Sequence, residues 1–136
     1  MEWETACRAG APKSERYCKL ADGTQITESN LSRVAWFDKH LDDGPTEVGK
    51  NREPNAWGLY DMHGNVWEWT GKAVGDFRIY GDFRIYRGGS FHESAHNCTA
   101  DIWMVTADFR DRNLTPDFRD RKLGFRLAAS GRTAGK

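Results

Sequence analysis

The side chains best suited to catalysis or binding lie in the segment 90–124, which has the least evident structural purpose in the chain. It combines imidazoles, carboxylates, an amide, a thiol and an indole. These residues are His92, Glu93, His96, Asn97, Cys98, Asp101 and Trp103. Such a mixture suits either acid–base and metal chemistry or a surface that binds a ligand.

Part of this segment, HESAH at 92–96, matches the pattern HExxH. On a helix that pattern places His92 and His96 one turn apart to bind zinc, and the glutamate between them acts as a general base. Here the pattern follows a strand-like run and a glycine pair, and the nearest further ligands, Cys98 and Asp101, are unusual choices. Adventitious metal binding is therefore favoured over a zinc enzyme.

A second group of candidate ligands lies in the block PNAWGLYDMHGNVWEW at 54–69. Asp61, Asn65 and Glu68 carry oxygen atoms near a glycine turn, and oxygen is the ligand that calcium prefers. The alternative is that they cap turns and bind local backbone donors. The aromatic residues of the block predict a central place in the core, because aromatic side chains bury the most area. Those residues are Trp57, Tyr60, Trp67 and Trp69.

The elements before this block are predicted to be short. Residues 2–9 are good helix formers, and Gly10 provides a stop. The stretch 11–47 is polar and turn-rich, with one compact apolar patch at 32–38, so it should be mostly loop with short helical turns.

Three strands are predicted around and after the block. Trp67 and Trp69 show the period of a half-buried strand. YRGGSF at 86–91 is a strand whose glycines indicate a bulge or a close backbone approach. The run at 123–128 closes the domain as another strand, in which Arg126 points away from its apolar neighbours.

The sequence GDFRIY occurs at 75–80 and again at 81–86. Each copy has the aromatic and β-branched residues of a strand, and Gly81 between them could form the turn of a hairpin. A duplicated insertion that lengthens a surface loop is the alternative.

Composition restricts the classes of function. The chain has 136 residues, 20 lysines plus arginines, 20 aspartates plus glutamates and a mean hydropathy of −0.77. This balance predicts no nucleic-acid partner, which would need a basic face. There is no apolar run long enough for a membrane span, and no signal-peptide pattern. The default prediction is a cytoplasmic protein, with export by another route left open.

Length predicts one domain over 1–128, followed by a disordered tail at 129–136. The three cysteines, Cys7, Cys18 and Cys98, are an odd number, so at least one is free or pairs between chains. Reduced thiols are the simpler interpretation, and a Cys7–Cys18 bridge is the alternative.

The block 54–69, together with EWETACRAG at 2–10, RGGSF at 87–91 and LGFRLA at 123–128, resembles the formylglycine-generating-enzyme and sulfatase-modifying-factor family. That family is a branch of the C-type-lectin-like fold. The resemblance implies an α+β domain with sparse regular structure, long loops and short antiparallel strands. In the family the first helix lies in the middle of the domain. The chain is therefore either a compact version or the C-terminal portion of something larger.

The resemblance also implies metal chemistry. A calcium ion would be held by the side chains of Asp61 and Glu68 and the carbonyls of Gly64 and Val66. A first calcium site of the family is left unassigned here.

The oxidase members hold copper(I) between two cysteines, at positions that correspond here to Glu93 and Cys98. A carboxylate is a poor copper(I) ligand, so no catalytic residue is favoured. If the chain is an oxidase, Cys98 is the thiolate, and Ser90 and Trp67 line the cleft. Otherwise Cys98 is a small buried apolar residue.

The favoured function is non-enzymatic binding of a protein ligand. Some relatives, the variable proteins of diversity-generating retroelements, use the span between GGS and GFR as a hypervariable binding face. The residues expected to bind the ligand are His92, Glu93, His96, Asn97, Asp101 and Trp103. The alternative places Trp103 and Met104 in the core and makes the later DFRDR run a solvated loop.

Overall fold

The computed structural model describes residues 2–74, 83–105 and 120–128. One α-helix, two short 3-10 helices and six strands form its regular structure. In chain order they are α1 at Glu2–Arg8, a first 3-10 helix at Glu28–Arg33, β1 at Ala35–Trp36, β2 at His63–Gly64, β3 at Trp67–Val74, β4 at Phe83–Arg87, a second 3-10 helix at Ala95–Asn97, β5 at Trp103–Val105 and β6 at Leu123–Gly124. Within these residues, no helix is both long and apolar enough to cross a membrane.

The main sheet has the strand order β5-β4-β3-β6, and a second, two-stranded sheet pairs β1 with β2. The predicted antiparallel arrangement is confirmed for β3–β4, where Trp69 lies opposite Tyr86, and for β4–β5. The β1–β2 and β3–β6 pairs are parallel. The closing strand is also shorter than the predicted run at 123–128, because its pairing with β3 ends at Gly124.

The predicted first helix is confirmed and ends where glycine allows the chain to turn. Ala9 and Gly10 both have positive φ, at 48° and 89°. The preceding Arg8 is buried, and it pairs with Glu4 at 3.0 Å and donates to the carbonyls of Pro12 and Glu15. The helix end is therefore fixed to the loop that follows it.

Among the described residues, two groups of buried side chains form the core. The larger one joins residues of the loop 11–34 to the segment after β4, and a smaller one packs α1 against Met62 and Ala100. The prediction for the aromatic block is only partly right. Trp67 is 6% exposed, but Trp57 is 55% and Tyr60 38% exposed, because Trp57 lies on a turn and Tyr60 on irregular backbone, outside any strand.

The second copy of GDFRIY contributes β4, which forms an antiparallel pair with β3. The first copy and the turn predicted at Gly81 lie outside the described residues, as do the DFRDR run and the predicted tail at 129–136.

Candidate functional site

The segment after β4 begins with two glycines that bring the chain close to itself. Gly88 and Gly89 have positive φ, and a Cβ atom built on Gly89 would lie only 2.6 Å from Cys98 Sγ. This confirms the close backbone approach predicted from the glycine pair. The amide of Phe91 donates to the carbonyl of Asn65 at 2.8 Å, which fixes the segment to the central block.

Buried and exposed side chains then alternate along a fixed backbone. Phe91, Ala95 and Cys98 are 0%, 8% and 0% exposed and pack inward. Between and after them the side chains that reach solvent are those of His92, Ser94, His96, Asp101, Trp103 and Met104. The segment therefore presents a polar and aromatic surface on an apolar anchor.

Two of the predicted ligand-binding residues are half-buried instead. Asn97 donates from Nδ2 to Glu93 Oε2 at 2.8 Å. The backbone of Glu93 also accepts a hydrogen bond from the amide of Asp38 at 2.8 Å. Glu93 and Asn97 therefore stabilise the turn and lie partly beneath the exposed side chains.

The histidines are held by loops from earlier in the chain. His92 Nδ1 lies 2.8 Å from the carbonyl of Lys39. Arg16 donates to His96 Nδ1 at 3.2 Å and to the His96 carbonyl at 3.1 Å. Both imidazoles remain exposed, so their positions are set without their being removed from solvent.

The helix that a zinc-binding HExxH motif requires is not formed at 92–96. Residues 91–93 form a turn, and the 3-10 helix starts only at Ala95. In the described part of the chain, no group of three or more His, Cys, Asp or Glu side chains is arranged to hold a metal ion. Spacing alone could not reveal this, since the backbone conformation decides where the imidazoles point.

Cys98 lies under the surface, not on it. Burial and then the charge of Glu93 raise the pKa of its thiol to about 12. The neighbouring Ser90 is completely buried, and its Oγ has no hydrogen-bond partner. Trp67 is also buried, with its ring edge-on to Tyr86 at 5.2 Å.

These residues do not fit a copper(I) ion. A single protonated thiol faces the interior, and the position that would supply a second sulfur is Glu93, whose carboxylate is bound to Asn97. All three cysteines of the chain are buried free thiols, so the alternative Cys7–Cys18 bridge is not formed.

The predicted calcium ligands of the central block differ in whether a side-chain oxygen is left without a hydrogen bond. Asp61 is 5% exposed; its Oδ2 accepts a hydrogen bond from the amide of Gly49 at 2.7 Å, and its Oδ1 has no partner. Asn65 instead exchanges hydrogen bonds with the backbone of Thr46 at 2.9 and 3.2 Å, the turn-stabilising role offered as the alternative. Asp61 alone has a free carboxylate oxygen for a cation.

Glu68 has no such oxygen. Its Oε1 accepts from Arg126 at 2.7 Å, and its Oε2 accepts from Trp3 Nε1 at 2.7 Å and from Arg126 Nε at 3.0 Å. The Gly64 amide donates to the Gly88 carbonyl at 2.7 Å. Calcium at Asp61, Glu68 and the carbonyls of Gly64 and Val66 stays a prediction, and Glu68 does not fit the ion in this geometry.

His63 was not among the predicted site residues, yet it connects the segment to the rest of the core. It is 1% exposed, its Nε2 accepts from the Cys18 amide at 3.1 Å, and its Nδ1 lies 2.8 Å from the Cys98 carbonyl. Burial lowers the pKa of His63 to about 4. A histidine beside Met62 and Gly64 in the sequence gives no signal of this role.

Sparse regular structure and a short mixed sheet, with a loop segment anchored after a glycine pair, define an α+β domain of the C-type-lectin-like, formylglycine-generating-enzyme type. The family model for the sulfatase-modifying factor enzyme 1-like domain matches residues 1–130, and the chain belongs to this family.

Relatives include catalytically inactive and active proteins. The inactive C-alpha-formylglycine-generating enzyme 2 of Mus musculus is 34% identical over 134 residues, with 95% of this chain and 41% of that protein covered. The formylglycine-generating enzyme of the same organism is 30% identical over 156 residues, with 94% and 37% covered.

Among solved structures, Treponema denticola variable protein 1 superposes with a TM-score of 0.68 at 29% identity, with 91% of this chain and 43% of that chain covered. The chain thus spans less than half the length of these relatives.

Proposed function

We propose that this chain is a non-enzymatic binding module whose ligand face lies between the RGGSF and LGFRLA motifs. The observation that carries this proposal is the alternation after β4, where an anchored backbone presents exposed side chains outward. We call the exposed side chains of His92, Ser94, His96, Asp101, Trp103 and Met104 the ligand face. A fixed backbone favours binding because little conformational entropy is lost when the ligand docks.

The chemistry of the ligand face suits a protein ligand. Trp103 and Met104 are 48% and 47% exposed, and the exposed side chains of His92, His96 and Asp101 precede them in the sequence. Tryptophan is enriched among the residues that dominate binding energy, and methionine and other aromatics are enriched at interfaces generally. The similarity to a variable protein supports this proposal, since variation in such a segment would leave the buried anchor unchanged. The equal numbers of acidic and basic residues predict no nucleic-acid partner.

The alternative is an oxidase that matures sulfatases, or a relative with altered metal chemistry. The unpartnered hydroxyl of Ser90 beside Cys98 and the similarity to a formylglycine-generating enzyme favour it. Against it stand the carboxylate of Glu93 in the place of a sulfur, and a thiol that is 0% exposed and beyond the reach of a substrate. The similarity to an inactive relative agrees with the binding module.

A comparison of two exposed tryptophans tests the proposal. Peptides selected from a displayed random library on the wild-type chain should bind the Trp57→Ala variant with unchanged affinity. They should bind Trp103→Ala at least about tenfold more weakly, the loss typical of a central interface residue. Trp57 is a matched control, since it is 55% exposed but lies on a turn of the central block. Selected peptides that bind both variants equally would place the binding face elsewhere.

The oxidase alternative is tested directly. The chain is incubated with copper(I), oxygen and a peptide that contains cysteine, and the peptide mass is followed. The binding module predicts no conversion of the thiol to an aldehyde. Conversion that disappears in Cys98→Ala would reject the proposal in favour of the enzyme.

A further inference from the structure

We propose that the guanidinium group of Arg126 supplies the positive charge that the buried Glu68 carboxylate needs, so that the central block is held together without calcium. Glu68 is 5% exposed and lies on β3 in the middle of the main sheet. A buried carboxylate is stable only if it is paired and its oxygens accept hydrogen bonds.

Both carboxylate oxygens of Glu68 are already engaged by donors of the chain, with which a cation would have to compete. Arg126 donates to both carboxylate oxygens, through Nη2 at 2.7 Å and Nε at 3.0 Å, and Trp3 donates to the second oxygen at 2.7 Å. A calcium ion would have to lie within about 2.3–2.6 Å of an oxygen. It would then displace these donors and approach a permanent positive charge.

The same guanidinium also holds the C-terminal segment to the domain. Its Nη2 donates to the Tyr60 carbonyl at 2.8 Å. The neighbours of Arg126 contribute little apolar packing, since Phe125 is 75% and Leu127 88% exposed. Arg126 therefore points inward and away from Phe125 and Leu127, as predicted, although residues 125–128 do not form a strand.

The charge of Arg126 also acts on the other predicted calcium ligand. The effect on Asp61 is small. Its Oδ2 accepts from the Gly49 amide and its Oδ1 has no partner, so the two-pronged pairing with Arg126 is a feature of Glu68 and not of Asp61.

The test combines calcium dependence with a double-mutant cycle. The melting temperature of the wild-type chain is measured in calcium chloride and in excess EDTA, and calcium binding is measured by equilibrium dialysis with radioactive calcium. Glu68→Gln, Arg126→Met and the double variant are then compared. Arg33 and Glu53 form the matched control, because they make the same two-pronged pair at 2.8 and 2.9 Å with side chains that are 37% and 50% exposed.

The wild-type melting temperature should be the same in calcium and in EDTA. Arg126→Met should lower it by about 5–10 °C, whereas Arg33→Met should lower it by no more than about 2 °C. The double variant of Glu68 and Arg126 should be less destabilised than the sum of the single variants, since each single change leaves a partner unpaired.

Stoichiometric calcium binding by the wild-type chain, or a melting temperature that falls in EDTA, would overturn the proposal. Additive effects in the cycle would overturn it as well. If Arg126→Met does not fold, Arg126→Lys keeps the charge but loses the two-pronged geometry. This variant should melt below the wild type and still show no response to calcium, and a response would count against the proposal.

Discussion

His63 Nδ1 donates a hydrogen bond to the Cys98 carbonyl at 2.8 Å. The direction follows from the other ring nitrogen, since Nε2 lies 3.1 Å from the Cys18 amide, which can only donate. One neutral imidazole therefore joins the loop after α1 to Cys98, which lies beneath the ligand face. Protonation would remove the acceptor that Cys18 needs and place a charge in the core.

This arrangement predicts an acid-dependent loss of stability. Burial lowers the pKa of His63 from 6.5 to about 4, so between these values the unfolded chain binds the additional proton. The free energy of unfolding should therefore keep its full value above about pH 6.5. It should fall as the pH drops toward 4, by about 3 kcal/mol in total. Urea unfolding across this range measures it. His63→Gln should remove this part of the slope, and the exposed His92→Gln should retain it. The same slope in both variants would assign it to other groups.

The close approach at Gly89 predicts a large cost for a single methyl group. An alanine Cβ would lie 2.6 Å from Cys98 Sγ and 2.8 Å from Cys98 Cα, at a φ of 78°. Gly89→Ala should destabilise the chain by about 3 kcal/mol, from backbone strain and overpacking together. Gly23→Ala is the control, because its φ is 87° and nothing lies within 4 Å of its Cβ position. It should cost about 1 kcal/mol by urea unfolding. Equal costs would contradict the contact with Cys98.

The cysteines should be unreactive in the folded chain. Burial raises the pKa of Cys18 to about 11, contributes most to the pKa of about 12 for Cys98, and raises the pKa of Cys7 well above its ordinary value. At about pH 8 a thiol-reactive chromogenic disulfide should therefore label none of them quickly in native protein and all of them in urea. Rapid labelling that disappears in Cys98→Ala would show an accessible thiolate and favour the oxidase.

Asn55 should be one of the most sensitive polar positions. Its Nδ2 donates to the carbonyls of Ala6 and Cys7 at 2.7 and 3.2 Å, and its Oδ1 accepts from the amides of Trp57 and Leu59 at 3.0 and 3.1 Å. Asn55→Ala should lower the free energy of unfolding by about 3 kcal/mol, because it leaves buried backbone groups unpaired.

The matched control for Asn55 is Asn97→Ala, which removes one half-exposed hydrogen bond to Glu93 and should cost about 0.5 kcal/mol. Chemical denaturation measures both variants. Similar losses would mean that the helix end does not depend on Asn55.

Local features could be predicted from the sequence. The helix end at Gly10 and the strand begun by Trp67 and Trp69 follow from residue types and spacing within a few positions. Glycine at 88 and 89 predicted a close approach, which the contact with Cys98 confirms. The family was evident from four ordered motifs, and the match over residues 1–130 shows it.

Exposure and partners within those motifs were less predictable. Trp57 belongs to the same aromatic block as Trp67, yet it lies on a turn that faces solvent. HESAH has the spacing of a zinc motif, but its chain is a turn followed by a 3-10 helix. Composition records which groups are present, and the path of the backbone decides which way they face.

The sequence by itself determined the family, the short elements and the absence of a second sulfur at Glu93, because these depend on residue identity and near neighbours. Only the tertiary structure decided that Arg126 pairs with Glu68, 58 positions away, and that His63 joins Cys18 to Cys98, 45 and 35 positions away. The physical reason is that a buried charge or imidazole must find partners wherever folding brings them. Local spacing carries no information about which distant segment will supply them.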